Sequence, residues 1–308
     1  MKNNPMACDL TTGICGDAGE SGVFELVDLN APVKKIDLYY ATDPICSHCW
    51  ALEPVMRKFV KQYGKHLNIR TIAGGLLAGW DGFADVKNGI GKPSDVAGHW
   101  REVGAHSRMP IDGSVWEHDP IMSSYPPSRV FKVIGQQDEK LASIFLRRAR
   151  EAVFAFDRNI GKEEVLIDIV NGIGLNGEGI VAKAGEPAAQ ELLEQDFALA
   201  ASLGVRGFPT IIMVNEDKKG VKIVGAQTLE HYAAALEQVL GEKPAAEPMP
   251  ALASLLQEEK LLFSKEIETA YDIDRDEVQT YAEQQLAGLP YKKQELLGEL
   301  YYTLETAD

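Results

Sequence analysis

The chain is 308 residues long, with 45% hydrophobic and 25% charged residues, which is typical of a globular protein of about two domains. Its formal net charge of −15 disfavours nucleic acid and anionic membrane surfaces as general partners. No apolar run reaches the ~18 residues of a membrane span, and the first residues lack the apolar core of a signal peptide. We therefore expect a cytoplasmic protein with mostly reduced thiols and no membrane partner.

Residues 1–33 carry two of the four cysteines, Cys8 and Cys15, with six residues between them. An acidic, glycine-rich stretch follows, so we expect a flexible N-terminal arm. Three interpretations of the pair stay open: inert surface thiols, a regulatory disulfide between them or with Cys46, and zinc shared with the second cysteine pair. We assign no residue to a metal site.

Residues 34–74 predict a strand, a helix and a second strand. Residues 34–42 alternate and are rich in aromatic side chains, as in a strand, and residues 67–74 form a similar run. Between them, residues 47–64 place apolar side chains at helical spacing, and Pro54 is expected to kink that helix. This order is a βαβ unit.

The sequence "DPICSHCWALEP", residues 43–54, places a cysteine pair at the start of that helix. Unpaired amides and the helix dipole are expected to lower the pKa of Cys46, and His48 is expected to add positive charge or a hydrogen bond. Cys49, one turn further on, is placed to attack a mixed disulfide on Cys46. A redox pair is the favoured interpretation; half of a zinc site and an inert pair are the alternatives.

A second segment, "GVRGFPTIIMVN" at 204–215, opens with a turn containing Pro209 and continues as an apolar strand. Residues 221–228 are its expected hairpin partner, and residues 228–240 a closing helix. Without further context, Pro209 is an ordinary trans-proline at the start of an edge strand.

Together, the DP-x-C-x-x-C-W-x-x-x-P motif and the "GFPT" turn resemble the DsbA/FrnE-like branch of thioredoxin-fold proteins, with the SpxH/YjbH group as the nearest match. The resemblance covers nearly all of the chain after residue 34. It implies a cis peptide bond before Pro209, which would lie against the cysteines and present backbone to a peptide substrate. Members of the SpxH/YjbH group are cytoplasmic proteins that deliver the regulator Spx to the protease ClpXP.

The resemblance also implies that residues 76–203 form a helical insertion over the cysteines. His99, His106 and His118 fall in or near it, but their spacing matches no common zinc pattern, so we expect solvated or packed histidines. Aromatic side chains of the insertion are expected to line a groove beside Cys46 for a partner peptide. Four amphipathic helices are predicted inside it, at residues 126–137, 141–156, 162–174 and 188–204.

The composition changes after Gly241, where residues 243–251 are proline-rich and predict a linker. Residues 252–308 then predict a winged-helix-like domain: a helix at 252–262, a helix-turn-helix at 264–286 and a hairpin at 290–303. Residues 245–308 contain 5 Lys or Arg and 14 Asp or Glu, a net charge of −9. Phosphate contacts need the opposite sign, so we expect this domain to contact protein and not DNA.

The predicted fold class is α/β: a thioredoxin-like, DsbA-type domain at 34–242 with a helical insertion, followed by the small winged-helix-like domain. Two functions follow. The favoured one is a thiol–disulfide oxidoreductase whose catalytic residues are Cys46, Cys49, His48 and Pro209. The alternative, which the resemblance supports, is an adaptor that binds Spx for ClpXP. Its partners are protein clients with thiols or disulfides, and no cofactor is expected.

Overall fold

The computed structural model describes residues 34–305, without the side chain of Lys87, and two short strands nearer the N-terminus. These strands, Cys8–Asp9 and Ile14–Cys15, pair antiparallel with Cys8 opposite Cys15. The rest of the predicted arm, and the chemistry expected of its thiols, lies outside the described residues.

A four-stranded sheet organises the first part of the described chain. Its strands are β1 (Ile36–Thr42), β2 (Leu67–Ala73), β3 (Thr210–Val214) and β4 (Gly220–Val224). Strand β2 is parallel to β1, and the pairs β1–β3 and β3–β4 are antiparallel, giving the order β2-β1-β3-β4. All four predicted strands are confirmed.

The segment between β1 and β2 forms two helices, α1 (Ser47–Ala51) and α2 (Glu53–Tyr63). The break falls at Leu52, and Pro54 lies in the first turn of α2. A proline is tolerated there because the first amides of a helix have no partner inside it. Where the sequence predicts one kinked helix, the structure therefore has two separate helices.

The insertion between β2 and β3 is helical, as predicted, and its apolar faces form a core with Trp50 of α1. The helices are α3 (Asp95–Ser107), α4 (Val115–His118), α5 (Tyr125–Gly135), α6 (Glu139–Arg150), α7 (Glu163–Gly172), α8 (Gly177–Ala184) and α9 (Pro187–Ser202). Helix α6 continues into a π-helical turn, Glu151–Ala155.

Helix α10 (Leu229–Leu240) closes the sheet. The helix-turn-helix and the hairpin that the sequence predicts beyond it are both present. The predicted helix at 252–262 is wrong at its end, because Lys260 has φ of 63° and the next residues form a strand. The elements are α11 (Leu252–Glu259), β5 (Leu261–Phe263), α12 (Ser264–Tyr271), α13 (Val278–Gln285), β6 (Tyr291–Leu296) and β7 (Glu299–Leu304), with strand order β5-β7-β6.

From Lys35 onward the described chain is one compact unit. Residues 243–251, the predicted linker, contain neither helix nor strand, and the amide of Glu247 donates to the carbonyl of Gln62 on α2 (2.8 Å). Phe263 of β5 packs edge-on against Trp50, with ring centroids 5.7 Å apart. The C-terminal segment thus completes the core beneath α1. Among the described helices, none is long and apolar enough to span a bilayer.

Candidate functional site

Cys46 and Cys49 lie where β1 passes into α1, as the βαβ pattern predicts. Cys46 is the N-cap of α1, and its sulfur accepts a 3.2 Å hydrogen bond from the Cys49 amide. Both residues are free thiols. Cys46 is 5% exposed and Cys49 is fully buried, so an incoming group can reach only the first sulfur.

The pKa of Cys46 is shifted in the direction opposite to the one that the sequence predicts. Burial, followed by the interactions with Cys49, raises the pKa of Cys46 well above its ordinary value. Burial opposes ionisation of Cys49 as well, but the hydrogen bond from Cys46 and the charge of Arg150 lower the pKa of Cys49. The prediction of a lowered Cys46 pKa is therefore wrong, because desolvation outweighs the dipole of a short helix. The two thiols therefore titrate as a pair, each changing the acidity of the other.

Arg150 supplies the positive charge of this site, and sequence reasoning did not single it out. Its side chain is 1% exposed and donates to the hydroxyl of Thr42, to the carbonyl of Asp43 (3.3 Å) and to the carboxylate of Glu53. The sequence signal was weak: α6 is amphipathic and ends with Arg147, Arg148 and Arg150, and this pattern does not show which arginine reaches the cysteines. A buried charge needs a partner, which is why such arginines mark a site.

His48, by contrast, is exposed and its ring faces that of His99, with centroids 5.5 Å apart. Burial of part of the ring, together with His99 and His106, lowers the pKa of His48. In the described part of the chain no hydrogen bond joins its ring to either sulfur. The charge expected from His48 is therefore not what stabilises a thiolate here, since Arg150 fills that role; the catalytic role expected of His48 stays a prediction.

Asp43 holds the loop that carries Cys46. Its carboxylate accepts hydrogen bonds from the amides of Ile45 (3.1 Å) and Leu76 (2.8 Å) and from the hydroxyl of Ser124 (2.9 Å). Burial, partly offset by these bonds, raises the pKa of Asp43 to about 6. The aspartate of the motif therefore fastens the cysteine loop to the insertion.

The predicted cis peptide bond is confirmed: Phe208–Pro209 is cis, and Pro209 is buried immediately before β3. The Phe208 ring packs so closely on Gly74 that a Cβ there would lie 2.2 Å from it, which explains the glycine at the end of β2. Substrate contact by the Pro209 backbone stays a prediction.

A cleft of about 490 Å³ opens beside Cys46, and both the insertion and the turn before Pro209 contribute to it. The Nε1 of Trp116 in its wall is buried without a partner among the described residues. A cleft with an apolar wall and a few polar groups is typical of a binding site for another molecule's side chains. Its aromatic wall consists of Trp80, Phe83, Trp100, Trp116 and Phe208.

The remaining histidines give no support to a metal centre. His118 pairs with Asp157 at 2.7 Å, and His99 faces His48. Within residues 34–305, no three side chains of the metal-binding types converge. Whether Cys8 and Cys15 contribute ligands lies outside the described residues.

Comparison with known proteins gives a consistent picture. A family model described as Thioredoxin matches residues 39–234. The "ClpXP adapter protein SpxH" of Halalkalibacterium halodurans is 32% identical over 262 residues, which cover 84% of each chain. Its namesake in Bacillus subtilis is 30% identical and covers 80% of this chain and 82% of its own. Both similarities extend beyond the thioredoxin segment.

Among solved structures, a probable DsbA oxidoreductase from Streptomyces coelicolor superposes with a TM-score of 0.53 at 17% identity, covering 69% of this chain and 93% of that chain. At that identity the likeness establishes the fold alone. The predicted fold class, α/β with a thioredoxin-like domain and a small winged-helix-like C-terminal part, is confirmed, and the C-terminal part contains its own three-stranded sheet.

Proposed function

The chain belongs to the thioredoxin family and to the SpxH group within it, and from this membership we propose that it is an adaptor that brings a client protein to the ClpXP protease. The observation that carries the proposal is the extent of the similarity, since 84% of each chain aligns with an adapter of that name. An adaptor of this kind works in the cytoplasm. Spx is the client that the group membership suggests.

The cleft beside Cys46 is the proposed contact for the client. Its aromatic wall supplies rigid apolar surface, which is the kind of surface that dominates the energy of protein interfaces. The acidic C-terminal segment belongs to the same compact unit, and its proposed partner is a protein. Its charge is unsuited to nucleic acid.

The test is degradation of purified Spx by purified ClpXP with and without this protein. We expect an acceleration of about tenfold, as expected for an adaptor that raises effective client concentration. Phe83→Glu places a charge in the cleft wall and should remove most of the acceleration, whereas Leu297→Glu, on the exposed turn between β6 and β7, should not. Equal degradation in the presence and absence of the protein would contradict the adaptor proposal.

Thiol–disulfide exchange is a second candidate, favoured by one observation: Cys46 lines the cleft while Cys49 lies sealed behind it. The Cys46 thiol passes its proton to the Cys49 thiolate as it attacks one sulfur of a client disulfide. The other client sulfur leaves as a thiolate, which takes a proton from water. The Cys49 thiol then gives its proton to water and attacks the Cys46 sulfur of the mixed disulfide. The Cys46–Cys49 bond forms, the bond between Cys46 and the client breaks, and the second client sulfur leaves as a thiolate that takes a proton from water. The client is reduced by two electrons, the pair is oxidised to a disulfide, and a low-molecular-weight thiol must reduce it again.

Cys49→Ser tests this candidate, because the client then stays attached to Cys46 and can be recovered as a mixed disulfide. Cys46→Ser is the matched control and should recover nothing. If neither variant captures a client while both still accelerate degradation by ClpXP, the cysteines have no exchange role and the adaptor proposal stands alone.

A further inference from the structure

The outer side of β2 is an open sheet edge. The Gly74 amide donates to the Thr42 carbonyl of β1 (2.6 Å), whereas the Ala73 amide points away from β1 and donates to Asp196 of α9 (2.9 Å). Backbone groups of successive strand residues point to opposite sides. The amides of Ile69 and Thr71 therefore point outward with that of Ala73. No other group of the described chain accepts from them.

The side chains around these two amides are accessible. Asn68 and Arg70 are exposed, and Ile69 is 38% exposed, although α9 covers the far end of the strand at Ala73. Open edges of this kind are usually blocked by bulges, prolines, a covering helix or charged side chains. The first five residues of β2 have no bulge, proline or covering helix, and their one charged side chain, Arg70, repels basic segments and attracts acidic ones.

A groove runs along this edge, formed by two adjoining cavities of about 380 and 430 Å³ that share Ile69, Thr71, Lys140 and Ser143. Eight basic and four acidic side chains line it, although the whole chain has a net charge of −15. Most of these basic groups are paired with carboxylates. Arg70 and Lys140 are exposed and form no ion pair within the described chain, so their charge is left for a partner.

We propose that this groove, here called the β2 groove, docks an extended segment of a partner protein in which acidic and apolar residues alternate. The segment adds as a fifth strand by accepting hydrogen bonds from Ile69 and Thr71. Its apolar side chains pack on Ile69, and its carboxylates pair with Arg70 and Lys140.

A second copy of the chain is a poor occupant. Pairing of two β2 edges would bring Arg70 and Lys140 of both copies together, and charges of like sign repel. The other sheet edge, β4, contains Lys222 and no acidic residue, so it offers the groove no carboxylate. The β2 groove shares no lining residue with the cleft beside Cys46, so this proposal does not depend on the proposed function.

The probe for the test is the labelled peptide Glu-Val-Asp-Val-Glu-Val, bound to the full chain and followed by fluorescence anisotropy and amide hydrogen exchange. We expect the exchange of Ile69 and Thr71 to slow by about tenfold when the peptide is in excess, since each amide gains an acceptor. The charge-reversed peptide Lys-Val-Lys-Val-Lys-Val should bind about tenfold more weakly or not at all.

Ile69→Pro removes one outward amide and leaves the bonds of its neighbours to β1, a substitution that edge strands tolerate. It should weaken binding by about tenfold, while the control Ile69→Val retains it. Lys140→Glu should weaken binding by about fivefold, and the control Lys183→Glu, on α8, should have no effect. If Ile69→Pro fails to fold, peptide binding by Lys140→Glu and the amide exchange of the natural chain still test whether the peptide docks in the β2 groove.

Three results would overturn the proposal. Equal binding of the two peptides would show that charge does not select the ligand. Unchanged exchange at Ile69 and Thr71 would place the peptide elsewhere. If the natural chain sediments as a dimer and the Ile69→Pro variant as a monomer, the β2 edge binds a second copy of the chain.

Discussion

Arg147 of the insertion donates a 2.8 Å hydrogen bond to Glu266 of the C-terminal segment, and both side chains are almost completely buried. Glu266 also lies 3.2 Å from Arg57 on α2. Burial alone would raise the pKa of Glu266, but the charges of Arg147 and Arg57 lower it. The guanidinium of Arg147 lies 4.7 Å from the Trp50 ring, so the C-terminal segment is joined to the residue that follows Cys49.

Glu266→Gln should destabilise the protein by about 3 kcal/mol, because the buried cluster loses one negative charge and its two arginines are left with fewer partners, including Glu151 for Arg147 and Glu259 for Arg57. Urea unfolding followed by circular dichroism measures the change. Lys293→Gln is the matched control, since its pair with Glu283 lies on the surface and should contribute less than about 1 kcal/mol. Similar values for the two variants would contradict the interpretation that the buried cluster holds the C-terminal segment in place.

The coupled acidity of the two thiols gives a second prediction. Because interactions with Cys49 raise the pKa of Cys46, Cys49→Ala should lower it, so Cys46 should form its thiolate at lower pH than in the natural protein. The hydrogen bond from Cys46 lowers the pKa of Cys49, so Cys46→Ala should raise it. The ultraviolet absorbance of the thiolate follows each titration. Shifts in the same direction for both variants would rule out the shared proton.

Arg150→Met tests the source of positive charge at the pair. The charge of Arg150 lowers the pKa of Cys49, so its removal should move thiolate formation to higher pH. Arg158→Met removes an exposed arginine from a pair with Asp168 and should leave the titration where it was. Circular dichroism must show that Arg150→Met is folded, since Glu53 loses a partner. A thiolate titration that does not move in the folded variant would assign the stabilising role to the backbone alone.

The local features of this fold were predictable from sequence because short-range patterns determine them. The alternation in β1, the helical spacing after Cys46 and the turn before Pro209 each involve residues that are close in the chain. The cis bond followed from family resemblance and not from its base rate. The predicted helix at 252–262 was wrong at Lys260, where strand pairing of Leu261–Phe263 with β7 overrides helical propensity.

The acidity of the site was not predictable in the same way. The raised pKa of Cys46 depends on burial by an insertion whose helices lie 50 to 150 residues further along the chain. The role of Arg150 depends on α6 packing behind β1, which the pattern of α6 alone does not indicate. The net charge of −9 on residues 245–308 likewise does not show which carboxylates face solvent, because Glu266 is counted in it and is buried among arginines.

Asp43 gives a prediction for the dependence of stability on pH. Its pKa of about 6 in the folded protein exceeds the ordinary value of 3.8, so between these values the folded chain keeps a proton that the unfolded chain releases. The stability that this group contributes is therefore fully present below pH 3.8 and is lost as the pH rises through about 6.

Asp43→Asn removes this titration. The difference obtained by subtracting the unfolding free energy of the variant from that of the natural protein should therefore fall by about 2 kcal/mol between about pH 4 and 7. Urea unfolding at each pH measures this difference, and subtraction removes the contributions of other carboxyl groups. The same change in the exposed control Asp217→Asn would show that the effect is not specific to Asp43, and a difference that rises with pH would show that the hydrogen bonds from Ile45, Leu76 and Ser124 outweigh burial.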